Sequence, residues 1–121
     1  MSSYLLYQVK MSEEQWAEEL FREIKYKTMR LSQDNAQLAV NGASILDLYK
    51  VVALIVAEDL EEAFNAGNGY PNNANTRIEK FQQAHSMSIG DVLVDIEAEK
   101  AYACCSYGWQ QVNFLPPSYK A

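Results

Sequence analysis

The segment Leu48-Tyr-Lys-Val-Val-Ala-Leu-Ile-Val-Ala57 constrains this chain more than any other. It is a near-continuous apolar run, largely β-branched, broken by one charge at Lys50. A strand with one wet face alternates apolar and polar residues, whereas a run without alternation describes a strand covered on both faces. The segment is therefore expected at the centre of a β-sheet.

Upstream, Tyr4-Leu-Leu-Tyr-Gln-Val9 is rich in β formers and reads as a strand. Ser12 then opens a helix. Ser12 and Gln15 have capping-box spacing, and Met11 and Trp16 stand at the staple positions. Glu13 and Glu14 suit the positive end of the helix dipole, and Lys25, Lys27 and Arg30 suit the negative end. Trp16, Ala17, Leu20, Phe21 and Ile24 form one apolar stripe, so a single helix is expected from Ser12 to about Arg30. Trp16 would be its buried anchor, with Trp16→Ala costing about 3–5 kcal/mol. The basic helix end reads as dipole-compatible charge rather than a nucleic-acid patch, because Glu19 and Glu23 lie nearby.

Residues 31–47 are turn-rich, and Asn41-Gly42 suggests a tight hairpin turn between Ala36–Val40 and Ala43–Leu46. After the apolar run, Glu58 or Asp59 starts a shorter helix with Leu60, Ala63 and Phe64 on one face, stopped at Gly67. Asn68–Asn75 is a loop, and Thr76-x-x-Glu79 suggests another brief helix through Ala84. A strand over Asp91–Glu97, a turn at Ala98–Glu99, a strand over Lys100–Ser106 and a tail reaching Pro116-Pro117 complete the chain. At 121 residues this is one α+β domain. It has a mixed β-sheet, one long amphipathic helix packed on one face, one or two short helices and a C-terminal β-hairpin. Its parts are an N-terminal β-α unit at 3–30, the variable segment 31–47, a strand-helix unit at 48–66 and the hairpin module 86–112.

In that module Val92, Val94 and Ile96 alternate with Leu93, Asp95 and Glu97, giving a core face and an acidic outer face. Gly90 permits a turn that a β-carbon would resist, and Asp91 can accept hydrogen bonds from amides there. Ser88-Ile-Gly-Asp-Val-Leu-Val, an acidic turn, Ala101-Tyr102, Gly108-Trp109 and Val112 resemble the C-terminal motif of small phage and mobile-element proteins, including the YodL-like group. In that group a Ser-x-Ser-x-Gly-Asp-Val motif precedes a Tyr and a Gly-Phe pair, and here Trp109 replaces the Phe. Tyr49-Lys-Val-Val-Ala with Leu60-Glu-Glu-Ala-Phe64 is similar to a segment that precedes the motif in some phage relatives. The resemblance covers about half the chain and excludes the first 47 residues. It implies a viral or mobile-element origin and no established reaction, with Ser88, Gly90 and Asp91 as structural motif positions.

Charge divides the chain. Residues 1–57 carry a net −1, residues 58–99 carry −7 and the tail carries +2. Phosphate binding needs local positive charge, so direct nucleic-acid binding is disfavoured. No apolar run is long enough to span a bilayer, and Met-Ser-Ser-Tyr-Leu-Leu-Tyr lacks the basic start of a signal peptide, so a cytoplasmic protein is expected. If the chain is viral, that means the host cytoplasm. Cys104 and Cys105 are adjacent and read as reduced thiols. His85 beside Ser86 and Ser88 lacks an orienting acid, Asp91, Asp95, Glu97 and Glu99 lack a cation-binding loop, and Gly67-x-Gly69 lacks a phosphate-loop context. No catalytic residue, metal ligand or cofactor is therefore assigned, and the chain is read as a non-enzyme. The reading favoured is a phage-type accessory protein that binds and modulates a host protein through Glu61, Glu62, Asp95 and Glu97. The alternatives are a small-ligand binder using Tyr70, Tyr102, Tyr107 and Trp109, and a nucleic-acid mimic. A homodimer paired through the exposed hairpin edge stands beside the monomer.

Overall fold

A computed structural model describes residues 1–114. The strands are β1 (Ser2–Val9), β2 (Tyr49–Ala57), β3 (Arg77–Lys80), β4 (Val92–Asp95), β5 (Lys100–Cys104) and β6 (Trp109–Val112). The helices are α1 (Glu13–Trp16), α2 (Glu19–Thr28), α3 (Ala36–Ile45) and α4 (Leu60–Gly67). They form an α+β domain on one six-stranded sheet, ordered β3-β2-β1-β4-β5-β6. Every pairing is antiparallel, so the sheet is not mixed as the sequence suggested. β1 and β4 hold its middle, and β2 lies one place off centre. The tail at Pro116-Pro117 lies outside the described residues.

β2 is covered on both faces through a bulge. Leu6 pairs with Ala53 and Tyr7 with Val51, leaving Val52 as the extra residue. An extra residue reverses the faces beyond it. Tyr49 and Val51 therefore join Tyr7, Val9, Val40 and Ala43 in one core, while Ala53, Ile55 and Ala57 join Leu6, Ala63 and Leu93 in another. The helices accordingly cover both faces, not one: α2 and α3 on the first core, α4 on the second. Leu93, expected on the acidic outer face of β4, is buried in the second core.

The expected long helix is broken. The Ser12–Gln15 capping box forms, with Gln15 N–H donating to Ser12 Oγ at 3.2 Å and Ser12 N–H to Gln15 Oε1 at 2.9 Å. α1 nevertheless ends at Trp16, and α2 restarts after Glu18, which is extended at φ −92° and ψ 130°. Trp16 is left 41% exposed, so it is not the buried anchor that its staple position implied.

Residues 36–45 form a helix rather than a hairpin. Ala36, Ala39, Val40 and Ala43 recur at helical spacing and are all buried. Gly42 lies inside this helix rather than in a turn, and a β-carbon there would meet Ile24 Cδ1 on α2 at an ordinary contact distance of 3.4 Å. Residues 77–80 form an edge strand rather than a helix, pairing with Ala53–Val56. The Thr76 hydroxyl, expected to cap that helix, donates instead to Glu62 Oε2 at 2.6 Å. β6, read as tail, covers β5, so the exposed edge at this side of the sheet is β6 and not the hairpin itself. α4 forms as expected, with the Asp59 carboxylate accepting from Glu62 N–H at 2.9 Å.

Candidate functional site

The Ser-x-Gly-Asp turn builds a buried, densely hydrogen-bonded polar centre. Asp91 N–H donates to Ser88 O at 3.1 Å, and Ser88 N–H donates to Asp91 Oδ2 at 3.0 Å, closing the turn from both sides. Gly90 has φ +98°, and a β-carbon there would lie 2.4 Å from Thr28 O, so the turn docks against the end of α2. Tyr49 donates its hydroxyl to Gly90 O at 2.7 Å. β5 completes the frame, with Gly90 N–H donating to Cys104 O and Cys104 N–H to Asp91 O.

The β1–β4 register sets Asp91 beside Gln8, because Val92 pairs with Tyr7. Both side chains are buried. Gln8 Nε2 donates to Asp91 Oδ2 at 3.0 Å and to His85 O at 2.9 Å, and Gln8 Oε1 accepts from His85 N–H at 3.2 Å. One amide thus ties the 82–91 crossover to the central strand. Burial is the main cause that pushes the Asp91 carboxyl up to about 6. Its hydrogen bonds from Ser88 and Gln8 and the nearby charges of His85 and Lys25 offset part of that. Burial also pushes the Cys104 thiol up to about 12, and raises Cys105, so both sulfurs stay protonated at neutral pH. Among the described residues, no three His, Cys, Asp or Glu side chains gather to hold a metal ion.

A second region lies at the end of the sheet where β1 begins and β2 and β4 finish. Ser2 pairs with Ala57 and Tyr4 with Asp95, which brings Glu58 and Asp59 to the same end as Asp95 and Glu97. Burial raises the Tyr4 phenol, and the fields of Asp95 and Asp59 raise it further. Glu58, Asp59, Glu61 and Glu62 line an open cleft of about 590 Å³ with Asn65 and Asn72–Ala74. Arg77 and Lys100 are the cations paired into this end of the sheet.

The four acids expected to meet a partner have different fates. Glu61 is exposed on the cleft. Glu62 is only 7% exposed and turns inward, accepting from Asn72 N–H, Asn73 N–H and the Thr76 hydroxyl at 2.6–3.0 Å. Those bonds hold its carboxyl below the usual range and tie the 68–75 loop to α4. Glu62 is therefore a loop anchor and not a partner-facing charge. Glu97 accepts from Ser3 N–H at 3.0 Å, which lowers its carboxyl, and Asp95 Oδ1 accepts from Ala98 N–H at 3.2 Å.

Of the four aromatics expected to line a pocket, the sheet register brings Tyr102 and Trp109 to one face, and Tyr70 and Tyr107 lie outside the sheet. Tyr70 and Tyr107 are exposed on separate turns, Tyr102 lies on β5 opposite Leu93, and Trp109 packs edge-on against Phe64 with ring centroids 6.1 Å apart. Gln8 is the member of the buried centre whose part sequence reasoning passed over. The available signal was a lone amide within the apolar Tyr4–Val9 strand. Among the described residues, no helix is long and apolar enough to cross a membrane. Comparison with protein-family models, curated proteins and solved structures finds no match.

Proposed function

We propose that this is a non-enzymatic accessory protein of phage type that modulates a host protein, in the host cytoplasm, by presenting the acidic end of its sheet to a basic surface. The observation that carries the reading is the gathering of Glu58, Asp59 and Glu61 beside Asp95 and Glu97 by the strand register. Charges concentrated at one end steer an oppositely charged partner and speed encounter, an effect that salt weakens. The buried centre supports the same reading from the other side. The Asp91 carboxylate and Gln8 amide bond to one another and to the crossover backbone, and the nearby thiols are protonated. The resemblance of the Ser88–Val94 segment to phage proteins supplies the expected setting.

The test is affinity capture from host lysate at low and high salt, comparing the native chain with a Glu58→Lys/Glu61→Lys variant. A captured protein that is lost at high salt and lost on charge reversal is the expected result. Capture that ignores the reversal, or recovery of a small molecule with no protein at either salt, contradicts the reading.

A further inference from the structure

The surface furthest from explanation by the fold is the outer side of α2 and α3. α3 carries no charged residue from Ala36 to Ile45, although it is a surface helix. Its inner side is used, with Ala36, Ala39, Val40 and Ala43 buried. Its outer side shows Leu38 and Ile45, one at each end of an i,i+7 stripe, 76% and 82% exposed. Asn41 and Gly42 separate the two, so each stands as its own exposed apolar side chain, and Leu38 is the one beside α2.

Leu38 also forms one wall of a groove of about 480 Å³ between the two helices, with Ile24 and Gly42 also lining it. Lys27 and Arg30 line the same groove from the end of α2. Among the described residues the ion pair found within 4.0 Å is Lys50–Asp47, so neither groove cation is held by a carboxylate. No side chain caps α3 where it enters the groove, because Asn35 Oδ1 accepts instead from Ser32 N–H at 2.9 Å. Among the described residues the groove therefore joins an apolar wall to two cations that form no ion pair within 4.0 Å. A nucleic-acid backbone would use the cations and leave the apolar wall without a partner. A segment that matches both halves has apolar side chains at i, i+3/i+4 and i+7 and carboxylates on the flank.

We propose that the α2–α3 groove docks an acidic amphipathic helix of a partner protein, its apolar side chains on Leu38 and Ile24 and its carboxylates on Lys27 and Arg30. This surface is separate from the acidic end of the sheet and has the opposite charge, so the two surfaces take different partners.

The probe is a displayed library of helical peptides panned on the full chain, with selected peptides then measured by fluorescence anisotropy. Enrichment of Asp and Glu beside apolar residues at helical spacing is expected. Leu38→Glu, and separately Lys27→Glu/Arg30→Glu, should each weaken the selected peptides by about tenfold or more. All these side chains are at the surface, so circular dichroism should show each variant folded, and the Glu58→Lys/Glu61→Lys variant should bind the peptides like the native chain. Selection of basic peptides, or of peptides that bind the Leu38→Glu variant equally well, overturns the proposal. So does a native chain that self-associates in sedimentation through a contact that Leu38→Glu abolishes, or one that binds anionic phosphatidylserine vesicles through the same residues.

Discussion

The Ser88–Asp91 turn and the α2–α3 groove treat polar and apolar groups in opposite ways. In the turn the conspicuous groups are bonded inside the molecule: the Asp91 carboxylate to Ser88 and Gln8, the Gly90 carbonyl to Tyr49, and the Gly90 and Cys104 amides across the β4–β5 ladder. In the groove an exposed leucine and two cations without a carboxylate partner face outward. The difference teaches that the polar groups of a chain's most eye-catching motif can find their partners inside the fold. The residues free to act are those that the fold leaves without matching neighbours.

The contrast breaks first at Gly90. Gly90→Ala puts a β-carbon 2.4 Å from Thr28 O at φ +98°, and both faults are in backbone that cannot rotate away. A loss of about 3 kcal/mol or more is expected in urea unfolding. A variant as stable as the native chain would show that the turn does not dock on α2 as described.

Asp91 gives a smaller effect, and its sign is specific. Its folded-state carboxyl lies near 6, above its ordinary 3.8, so ionising it in the fold costs stability. That cost is fully present above pH 6 and is relieved as pH falls from about 6 toward 4, because the folded state then binds the proton more tightly. The chain should therefore gain about 1 kcal/mol between pH 7 and pH 5, at about 1.4 kcal/mol per unit of pH below 6. Glu62 and Glu97 act oppositely. Their carboxyls are depressed below the ordinary 4.5, so stability they contribute above 4.5 is lost on further acidification. Asp91→Asn keeps one oxygen able to accept from both Ser88 and Gln8 and removes the buried charge. It should raise stability at pH 7 and flatten the rise between pH 7 and pH 5, measured by thermal unfolding across that range. A variant that is weaker at pH 7 and keeps the rise would contradict the assignment.

How much of this was legible in the sequence depended on whether local patterns agreed with tertiary demands. β2 and α4 were legible because composition, period and caps agreed. The 36–45 helix was not, because Asn41-Gly42 carries a strong turn signal that outweighed the helical recurrence of Ala36, Ala39, Val40 and Ala43. The burial of those four residues depends on the sheet and on β6 packing against the helix, which no local window contains. Thr76-x-x-Glu79 had the spacing of a cap, but its hydroxyl is taken by Glu62, fourteen positions back. Glu62 itself looked like a surface charge for the same reason. At the buried centre the turn chemistry of Gly90 and Asp91 could be read, whereas the part played by Gln8 depends on a strand pairing across 83 positions.

A loss smaller than at Gly90 is expected at Trp16. Trp16, 41% exposed at the end of a four-residue helix, has a smaller share of its surface to lose than a core side chain. Trp16→Ala should cost about 1–2 kcal/mol, against about 2–5 kcal/mol for Leu6→Ala in the sheet core. Equal losses in denaturant unfolding would restore Trp16 as an anchor.

The central claim is that the buried Asp91 centre serves the fold and that function lies in the surfaces around it. The most direct measurement runs the lysate capture proposed above side by side with the native chain, Asp91→Asn and Glu58→Lys/Glu61→Lys, each verified as folded. The account predicts that Asp91→Asn captures the same protein at the same level while the charge reversal loses it. A folded Asp91→Asn chain that loses the partner, beside a charge reversal that keeps it, would contradict the account.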